Sequence, residues 1–269
     1  MLEIKLQKLD EILRDCERLI VAYSGGVDSA FLFYRAYQVL GKNCLGVIAD
    51  SPSLPRYELE QALAFAKKNQ LPVEVIATDE FQNPDYLANP INRCYFCKSA
   101  LFEKLTQWIK EKKEKKFNAI AYGENKDDLS DFRPGRQAAE EFSVLAPLRE
   151  AGLTKQEIRL AAQQAGLHVF DKPASPCLSS RIPHGTPVTV ETLARIEAGE
   201  RFLRELGFHI FRLRHYGEEA KIELDEKEFV YFDVPGMKEK IEKGLQQVGY
   251  KKVSRMETPY GYAKKLKIS

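Results

Sequence analysis

The sequence predicts an α/β fold with a doubly wound parallel sheet, followed by a smaller C-terminal α+β domain. Two observations lead to this prediction. Apolar runs of strand length alternate with helical patterns through the first two-thirds of the chain, which is the arrangement of a parallel sheet with helices on both faces. After a stretch rich in proline and serine, DKPASPCLSSRIPHGTPVT, the pattern changes to a helix, two short strands, a helix and a last strand. A length of 269 residues suits two domains.

The elements of the first domain follow from hydrophobic periodicity. After an opening helix, a strand candidate at Leu19–Ala22 leads through a glycine-rich turn into a helix that reaches about Leu40. The loops that follow the strands should meet at one crevice, because ligands of parallel sheets lie outside the carboxyl ends of the strands. The remaining predicted elements are helices at Leu2–Leu13, from Pro55 to about Asn69 and from about Cys94 to Lys113, and strands at Cys44–Ala49, Val73–Ala77 and Asn118–Tyr122.

Composition sets the predicted domain boundaries. Residues 1–170 form the first domain, residues 171–189 form a linker that carries Cys177, and residues 190–269 form a small α+β domain for substrate binding or oligomerisation. The elements predicted for the last domain are a helix at Val190–Leu206, strands near His209–Arg214 and Lys221–Leu224, a helix near Lys238–Val248 and a strand from about Tyr250.

The bulk composition is that of a globular protein, with 44% apolar and 30% charged residues. A net charge of +2 neither requires nor excludes a nucleic-acid partner. No apolar stretch approaches the roughly 20 residues that span a bilayer, so no membrane partner is expected. The opening MLEIKLQKLDEILRDCERL carries acidic residues and helical periodicity, unlike a signal or transit peptide. Five cysteines, an odd number, favour reduced thiols and a cytoplasmic location.

The sequence YSGGVDSAF joins the first predicted strand to the helix after it. Gly25 and Gly26 permit a tight turn and close backbone approach, so that successive N–H groups can point at one oxyanion. The following helix places its positive dipole end at the same spot, and Ser24 and Ser29 add hydroxyl donors. Asp28 would repel a bare phosphate, and we interpret it as a ligand for the Mg²⁺ that accompanies a nucleotide.

This segment resembles the PP-loop, the SGGxDS signature of the N-type ATP pyrophosphatases. It differs from a Walker A loop, which needs Gly-Lys-Ser/Thr, and from the GxGxxG dinucleotide fingerprint. The resemblance implies a PP-loop ATP pyrophosphatase domain that binds ATP with Mg²⁺. Such enzymes split ATP between the α and β phosphates and leave AMP on a carbonyl or carboxylate oxygen of the substrate.

The cysteines form the second group of candidate site residues. Cys94 and Cys97 are a CxxC pair that opens a predicted helix, where the helix dipole lowers the thiol pKa and favours metal ligation. Cys177 lies in the linker, outside regular structure. Cys16 and Cys44 lie in apolar surroundings and are interpreted as core residues.

Three kinds of site are compatible with these thiols. A structural zinc site would need a fourth ligand, and His184 is available for it. A thiol–disulfide redox pair would use Cys94 and Cys97 alone. A [4Fe–4S] cluster held by these two and Cys177 would leave one iron without a protein ligand, open to a sulfide or a substrate. Spacing alone does not separate zinc from the cluster, but an ATP-activating loop favours the cluster, since activated oxygen with a sulfur carrier makes a sulfur transferase.

Three further stretches resemble the LarE family, the ATP-dependent sulfur transferases of nickel-pincer nucleotide synthesis. They are NKDDLSDFRPG at 125–135, PCLSSRIPHGT at 176–186 and FRLRHYGEEAKIEL at 211–224, and with the PP-loop they are spread over most of the chain. The resemblance implies adenylation of a carboxylate of pyridinium-3,5-biscarboxylic acid mononucleotide. Sulfur then replaces AMP and gives a thiocarboxylate.

The family resemblance also bears on the source of sulfur. In some members the cysteine that matches Cys177 gives up its own sulfur and ends as dehydroalanine, and those members lack counterparts of Cys94 and Cys97. This chain resembles the other branch, whose three cysteines carry a [4Fe–4S] cluster and pass on a sulfide bound to the open iron. The origin of that sulfide does not follow from the sequence. The family resemblance further implies a homo-oligomer.

Basic residues near these segments are candidates for offsetting the charge that builds on phosphate oxygens during adenylation. Lys98 follows the CxxC pair and, like Asp28, is assigned to catalysis. Arg133 and Arg136, in the loop after the fourth strand, are assigned to ATP through pyrophosphate or AMP. Arg181 follows the sulfur-handling Cys177 closely enough to share its catalytic site.

The last domain supplies a candidate for substrate binding. Arg212 and Arg214 alternate along one predicted strand, so their side chains share a face, and two guanidinium groups on one face suit a phosphate. The resemblance implies that this is the phosphate of the substrate nucleotide. Glu200 and Glu223 match acidic positions near the active site of the family, where they are candidates for metal binding.

Three other functions stay open. A tRNA thiolation enzyme also joins a PP-loop to a three-cysteine cluster, but the near-neutral charge and the lack of an RNA-binding module count against nucleic acid as a partner. An amide-forming synthetase of the NAD- or GMP-synthetase kind would leave the cysteines without a purpose, and no glutaminase segment is present. A non-catalytic nucleotide-binding module with a zinc site would bind ATP without turnover.

Overall fold

The computed structural model describes residues 1–111, 117–130 and 134–260. The described chain forms two compact units. The first comprises Met1–Tyr86 and Pro90–Ser175, and the second comprises Leu87–Asn89 and the chain from Pro176 onward. The predicted boundaries and roles of the domains 1–170 and 190–269, with their linker, stay predictions.

The first unit contains a four-stranded, all-parallel sheet in the order β3-β2-β1-β4. The α/β doubly wound class is therefore confirmed. The strands are β1 (Leu19–Ala22), β2 (Cys44–Asp50), β3 (Val73–Ala77) and β4 (Ala119–Tyr122). The helices are α1 (Leu2–Asp15), α2 (Val27–Leu40), α3 (Arg56–Lys68), α4 (Pro84–Leu87), α5 (Arg93–Glu111), α6 (Pro134–Glu141), α7 (Pro147–Glu150) and α8 (Lys155–Gln164).

Burial on both faces explains why β1 reads as an uninterrupted apolar run. Leu19 and Val21 belong to a core with residues of α1, α2, α3, α7 and α8. Ile20 and Ala22 point the other way and belong to a core with residues of α5 and α6. Helices thus cover both faces of the sheet, which leaves β1 without a polar side.

The strand order places the ligand crevice. The chain moves from β1 to β2 to β3 on one side and returns to the other side of β1 with β4. This reversal creates a switch point between β1 and β4, and ligands of open α/β sheets bind outside the carboxyl ends of the strands at such a point. Because all four strands are parallel, the loops after β1, β2 and β4 leave the sheet at one edge, as the sequence predicts.

Several local features differ from the sequence-based elements. Helix α3 begins at Arg56 and not at Pro55, because Pro55 keeps an extended ψ of 133° and precedes the helix. The helices α6, α7 and α8 lie in a region where the sequence analysis assigns no element. The start of α8 is a capping box, in which Thr154 and Glu157 each bond the backbone N–H of the other.

The second unit is a three-stranded sheet with helices on one face. Its strands run in the order β5-β6-β7, with β5 and β6 antiparallel and β6 and β7 parallel. Leu203, Leu213, Ile222 and Leu245 are fully buried in the core between the sheet and the helices. The elements are α9 (Val190–Glu205), β5 (Phe211–Tyr216), β6 (Glu219–Leu224), α10 (Phe229–Phe232), α11 (Met237–Gln247) and β7 (Lys252–Arg255).

Candidate functional site

The loop after β1 has the geometry of an anion-binding turn. Gly25 has a φ of +75°, and a Cβ there would lie 2.8 Å from the Ala62 Cβ, so only glycine fits against α3. Lys172 donates to the Gly25 carbonyl at 3.1 Å and pairs with Glu58 at 2.7 Å, which fixes the loop. Gly26 precedes α2, and no side chain of the described residues caps the helix there. The first N–H groups of α2 and the helix dipole therefore suit a phosphate.

The two predicted serines have different places in this loop. Ser29 is buried, accepts a hydrogen bond from the Ser24 backbone N–H at 3.2 Å and donates to the Gly26 carbonyl at 3.1 Å. Ser24 is exposed, with its hydroxyl 3.0 Å from that of Ser29. Ser29 therefore braces the turn, whereas Ser24 offers an exposed side chain at the same turn.

The carboxylate of Asp28 is paired on one oxygen only. Its Oδ2 accepts hydrogen bonds from Lys155 Nζ at 2.7 Å and from Asn125 Nδ2 at 3.3 Å. Its Oδ1 is buried and has no hydrogen-bond partner within the described parts of the chain. Such an oxygen costs free energy unless a ligand meets it. Carboxylate oxygens are the ligands that Mg²⁺ prefers, so Asp28 fits a divalent cation beside the Gly25–Gly26 turn.

Gly123 brings β4 against the start of α2. A Cβ on Gly123 would lie 2.6 Å from the Ser29 backbone nitrogen and 2.9 Å from its Cα. These are backbone atoms, so α2 would have to move to admit a side chain. The sequence does not single out Gly123, because one glycine after a strand is an ordinary turn residue.

Gly123→Ala is expected to lower both the stability of the chain and its affinity for ATP. The added methyl group pushes the start of α2 away from β4, and overpacking of this kind costs about 1–3 kcal/mol. Urea unfolding and titration calorimetry with ATP measure the two effects. Gly244→Ala is the control, because its Cβ would meet the Phe202 ring within the second unit, so it should lower stability without changing ATP affinity. A G123A variant with the stability and ATP affinity of the wild type would contradict this packing argument.

Glu124 is the buried centre of a charge network after β4. Its Oε1 accepts from Arg136 Nε at 2.8 Å. Its Oε2 accepts from Arg149 Nη1 and from the Tyr122 hydroxyl, both at 2.7 Å. The predicted ATP ligand Arg136 is therefore held by Glu124, and its contact with ATP stays a prediction. The other predicted ligand of this loop, Arg133, lies outside the described residues.

Cys94 and Cys97 lie one turn apart near the start of α5. Cys94 is exposed and Cys97 is partly exposed. The ammonium of Lys98 lies 5.4 Å from the centre of the Phe102 ring and 5.5 Å from that of Tyr122, the last residue of β4. The ammonium of Lys98, the residue after Cys97, therefore lies near the carboxyl end of β4. Side chains at i and i+3 share one side of a helix, which suits two bonds to one metal centre.

The other two thiols of this unit, those of Cys16 and Cys44, differ from Cys94 and Cys97 in being buried. Cys16 and Cys44 are buried, and burial raises the pKa of Cys16 to about 11 and that of Cys44 to about 12. The predicted core positions of Cys16 and Cys44 are confirmed, because both belong to the core that contains Leu19.

Iodoacetamide at pH 8 is expected to label Cys94, Cys97 and Cys177 in metal-free protein and to spare Cys16 and Cys44. The thiolate is the reactive form, and a pKa near 11 leaves about one thiol in a thousand ionised at pH 8. Peptide mapping by mass spectrometry measures the labelling, and urea-unfolded protein, in which all five cysteines should react, is the control. Labelling of Cys16 as fast as Cys94 in native protein would contradict the assigned burial.

In the second unit, Cys177 precedes a short 3₁₀ helix, Leu178–Arg181. The guanidinium of Arg181 is buried and donates to both oxygens of Glu200, at 2.8 and 3.2 Å. Its Nη1 also donates to the carbonyls of Pro176 at 2.6 Å and Cys177 at 3.2 Å. Arg181 therefore shares the Cys177 site and fixes the backbone beside the thiol. Its predicted part in catalysis stays a prediction.

Glu200 joins three elements of this unit. Besides Arg181, its Oε1 accepts from the Leu213 backbone N–H at 3.1 Å, which links α9 and the turn before it to β5. A buried carboxylate with a bidentate guanidinium partner is a strong anchor. The predicted metal-binding part of Glu200 stays a prediction.

Arg212 and Arg214 alternate along β5 on the half-exposed face of the sheet. Arg214 donates to Glu223 at 2.8 Å and to the Ser180 carbonyl at 2.7 Å. Arg212 lies 4.5 Å from the centre of the Tyr260 ring and donates to its hydroxyl at 2.9 Å. Burial lowers the pKa of Arg212, so an incoming anion would offset the cost of desolvating this cation. Two guanidinium groups on one face suit a phosphate, and the predicted binding of the substrate phosphate by Arg212 and Arg214 stays a prediction.

The described parts of the chain contain no group of three or more His, Cys, Asp or Glu side chains arranged to hold a metal ion. Cys94 and Cys97 belong to the first unit and Cys177 to the second. The predicted centre of three thiolates therefore stays a prediction. In the same described ranges, no helix is both long and apolar enough to cross a membrane.

Lys155 and Asn125 are site residues that the sequence analysis does not name. Asn125 lies in the stretch that resembles the LarE family, so its neighbourhood is predicted but its bond to Asp28 is not. Lys155 follows Thr154, and the Thr-x-x-Glu spacing of a capping box marks the start of its helix. No local pattern indicates that Lys155 meets Asp28, 127 residues away.

Comparison with known proteins gives three extensive similarities, although no protein-family model matches the chain. The chain is 44% identical over 232 residues to an uncharacterized protein of Synechocystis, covering 86% of this chain and 85% of that protein. It is 32% identical over 252 residues to an uncharacterized protein of Methanocaldococcus jannaschii, covering 93% and 94%.

The third relative has a stated activity. It is the pyridinium-3,5-bisthiocarboxylic acid mononucleotide synthase of Lactiplantibacillus plantarum, 32% identical over 254 residues, or 94% of this chain and 90% of the synthase. A similarity of this extent leaves only short stretches of either protein unmatched. The chain therefore belongs to the LarE family, the family of this synthase.

Proposed function

We propose that this chain is an ATP-dependent sulfur transferase that adenylates a carboxylate of pyridinium-3,5-biscarboxylic acid mononucleotide and replaces the AMP by sulfur. The observation that carries the proposal is the similarity to the synthase over 94% of the chain. The name of that relative describes a pyridinium mononucleotide with two thiocarboxylic acid groups. A dicarboxylate precursor needs two replacements of oxygen by sulfur to reach such a product.

In the first step, a carboxylate oxygen of the substrate attacks the α-phosphorus of ATP. The bond to the bridging oxygen breaks, and pyrophosphate leaves with its electron pair. Negative charge grows on the phosphate oxygens, where the N–H groups of the Gly25–Gly26 turn and the start of α2 stabilise it. Asp28 would hold Mg²⁺, which supplies further positive charge. Lys98 of α5, whose ammonium lies 5.5 Å from the ring of Tyr122 at the end of β4, is the proposed additional cation.

In the second step, a sulfide attacks the acyl carbon of the adenylate. The carbon–oxygen bond breaks, AMP leaves with the electron pair, and the thiocarboxylate remains. A free carboxylate resists this exchange because its oxygen is a poor leaving group, whereas sulfide is a strong nucleophile at neutral pH. Arg212 and Arg214 are proposed to hold the phosphate of the substrate beside the Cys177 turn, to which Arg214 is bonded through Ser180.

The donor set of Cys94, Cys97 and Cys177 suits a [4Fe–4S] cluster bound by three thiolates. All three thiols are at least partly exposed, unlike Cys16 and Cys44, and thiolates are the usual ligands of such clusters. When bound, the cluster supplies an iron without a protein ligand, at which the sulfur for transfer can be held. The part of Arg181 is to keep the Cys177 backbone, and hence the direction of its thiol, fixed.

Product analysis tests this function. Anaerobically purified protein is incubated with ATP, Mg²⁺, sulfide and pyridinium-3,5-biscarboxylic acid mononucleotide, and the products are separated by chromatography and weighed by mass spectrometry. We expect AMP, pyrophosphate and a product in which sulfur replaces oxygen. ATP consumption should depend on the pyridinium compound. ATP binding without turnover would contradict the proposal, as would an amide product formed only with ammonia.

A further inference from the structure

The phosphate loop YSGGVDSAF contains no lysine, yet a lysine reaches it from a distant part of the chain. Lys155 is the first residue of α8, and its Nζ lies 2.7 Å from Oδ2 of Asp28. Asp28 is the second residue of α2. The ammonium therefore lies within about one helical turn of the N–H groups that suit a phosphate.

The backbone of Lys155 is held on both sides. Its N–H donates to Asp127 Oδ2 at 2.8 Å. The preceding Thr154 forms a capping box with Glu157, which in turn pairs with Lys5 of α1 at 2.7 Å. The side chain is different, because it is 39% exposed and a lysine carries its ammonium on a flexible four-carbon stem. The ammonium can therefore change partners while α8 stays in place.

Ligand binding changes the balance of charge at Asp28. The ammonium and the Asn125 amide share Oδ2, and Oδ1 has no partner among the described residues. A divalent cation at Oδ1 would bring a second positive centre to the same carboxylate and repel the ammonium. The phosphates of ATP bring negative charge to the adjacent loop at the same time. A phosphate oxygen then becomes a better partner for Lys155 than a carboxylate already neutralised by the cation.

We propose that Lys155 is a pyrophosphate-binding residue that pairs with Asp28 before ATP and Mg²⁺ bind and moves to the β- or γ-phosphate when they do. Lys155 thereby supplies the phosphate-binding lysine that the loop itself lacks. It also keeps Asp28 neutralised until the cation arrives. The inference deepens the proposed function and rests on it.

Lys155→Gln tests the two proposed roles of Lys155, pyrophosphate binding and neutralisation of Asp28, by separate measurements. Binding of inorganic pyrophosphate with Mg²⁺ is measured by calorimetry, and binding of Mn²⁺ to nucleotide-free protein by electron paramagnetic resonance. We expect pyrophosphate to bind about tenfold more weakly, since a charged hydrogen bond is lost. We expect Mn²⁺ to bind several-fold more tightly, since the ammonium no longer competes for Asp28. A merely structural role would not move the two affinities in opposite directions.

Two further variants sharpen the test. Lys104→Gln removes a lysine of matched exposure, 40% against 39% for Lys155, that pairs with Asp79 at 3.3 Å and not with Asp28, and it should leave both affinities within about twofold of the wild type. Lys155→Arg keeps the charge and should retain most of the pyrophosphate affinity, which supports the proposal even where K155Q folds poorly.

Unchanged pyrophosphate affinity in K155Q, or weaker binding of Mn²⁺, would overturn the proposal, as would failure of the wild type to bind pyrophosphate. These assays need neither the pyridinium substrate nor an iron–sulfur cluster. Wild-type protein that binds pyrophosphate through Lys155 but transfers no sulfur would therefore contradict the proposed function alone.

Discussion

Asp28→Asn is expected to lower substrate-dependent pyrophosphate release about a thousandfold, the order of loss seen when a group that stabilises transition-state charge is removed. The substitution keeps the size of the side chain but removes its negative charge. The amide therefore offers a weak ligand to Mg²⁺ at the buried Oδ1 position, which has no partner in the described chain. Release of labelled pyrophosphate from ATP measures the rate.

Asp10→Asn is the matched control for this variant. Asp10 of α1 pairs at 2.6 Å with Arg35 of α2, the helix that carries Asp28, and the Asp10 side chain is 15% exposed, against 16% for Asp28. It lies away from the phosphate loop, so its loss should change the rate by no more than about twofold. A D28N rate within tenfold of the wild type would refute the assignment of Asp28 to the metal–nucleotide site.

Cys177→Ala is expected to lower thiocarboxylate formation more than about a hundredfold while leaving adenylation intact. The bond from Arg181 goes to the Cys177 carbonyl and not to its sulfur, so alanine keeps the turn. The variant thus removes one thiolate from the proposed centre without disturbing Glu200 or β5. Product analysis measures sulfur transfer, and substrate-dependent exchange of labelled pyrophosphate into ATP measures adenylation.

Cys16→Ala is the control for the loss of a thiol. Cys16 is buried at the C-terminal end of α1, and its replacement should cost about 1 kcal/mol of stability but change neither reaction. A C177A variant that still makes thiocarboxylate at the wild-type rate would refute the assignment of Cys177 to sulfur transfer. Equal loss of both reactions would contradict the division of the two steps between phosphate loop and thiols.

Local patterns predict much of the fold because the elements depend on nearby residues. The β1 strand is a run of four buried apolar residues, and β3 has the predicted bounds, Val73–Ala77. The order β3-β2-β1-β4 is not encoded locally, since it depends on which side of β1 the chain returns to. The sequence analysis gives no element to α6, α7 or α8. Of these, α6 and α7 have eight and four residues, too few to establish a helical period, and α8, with ten, is marked by its capping box.

The candidate site, like the fold, is only partly predictable from local sequence patterns. The shared face of Arg212 and Arg214 follows from the two-residue period of a strand. Their partners depend on strand register and on distant chain segments. Glu223 lies opposite Arg212 in the β5–β6 pair, and its carboxylate accepts a hydrogen bond from the neighbouring Arg214. The bond of Arg214 to the Ser180 carbonyl likewise joins residues 34 positions apart. From sequence alone, a charged residue is interpreted as a ligand-binding or a surface residue. The fold shows that Arg181 is instead buried and paired with Glu200.

Anaerobic analysis of iron, zinc and acid-labile sulfide in freshly purified protein tests the central claim most directly. If Cys94, Cys97 and Cys177 bind one [4Fe–4S] cluster, the protein should be brown and contain about four irons per chain, and each Cys→Ala variant should lose iron. One zinc per chain with no iron would contradict the cluster and, with it, the proposed route of sulfur to the activated carboxylate.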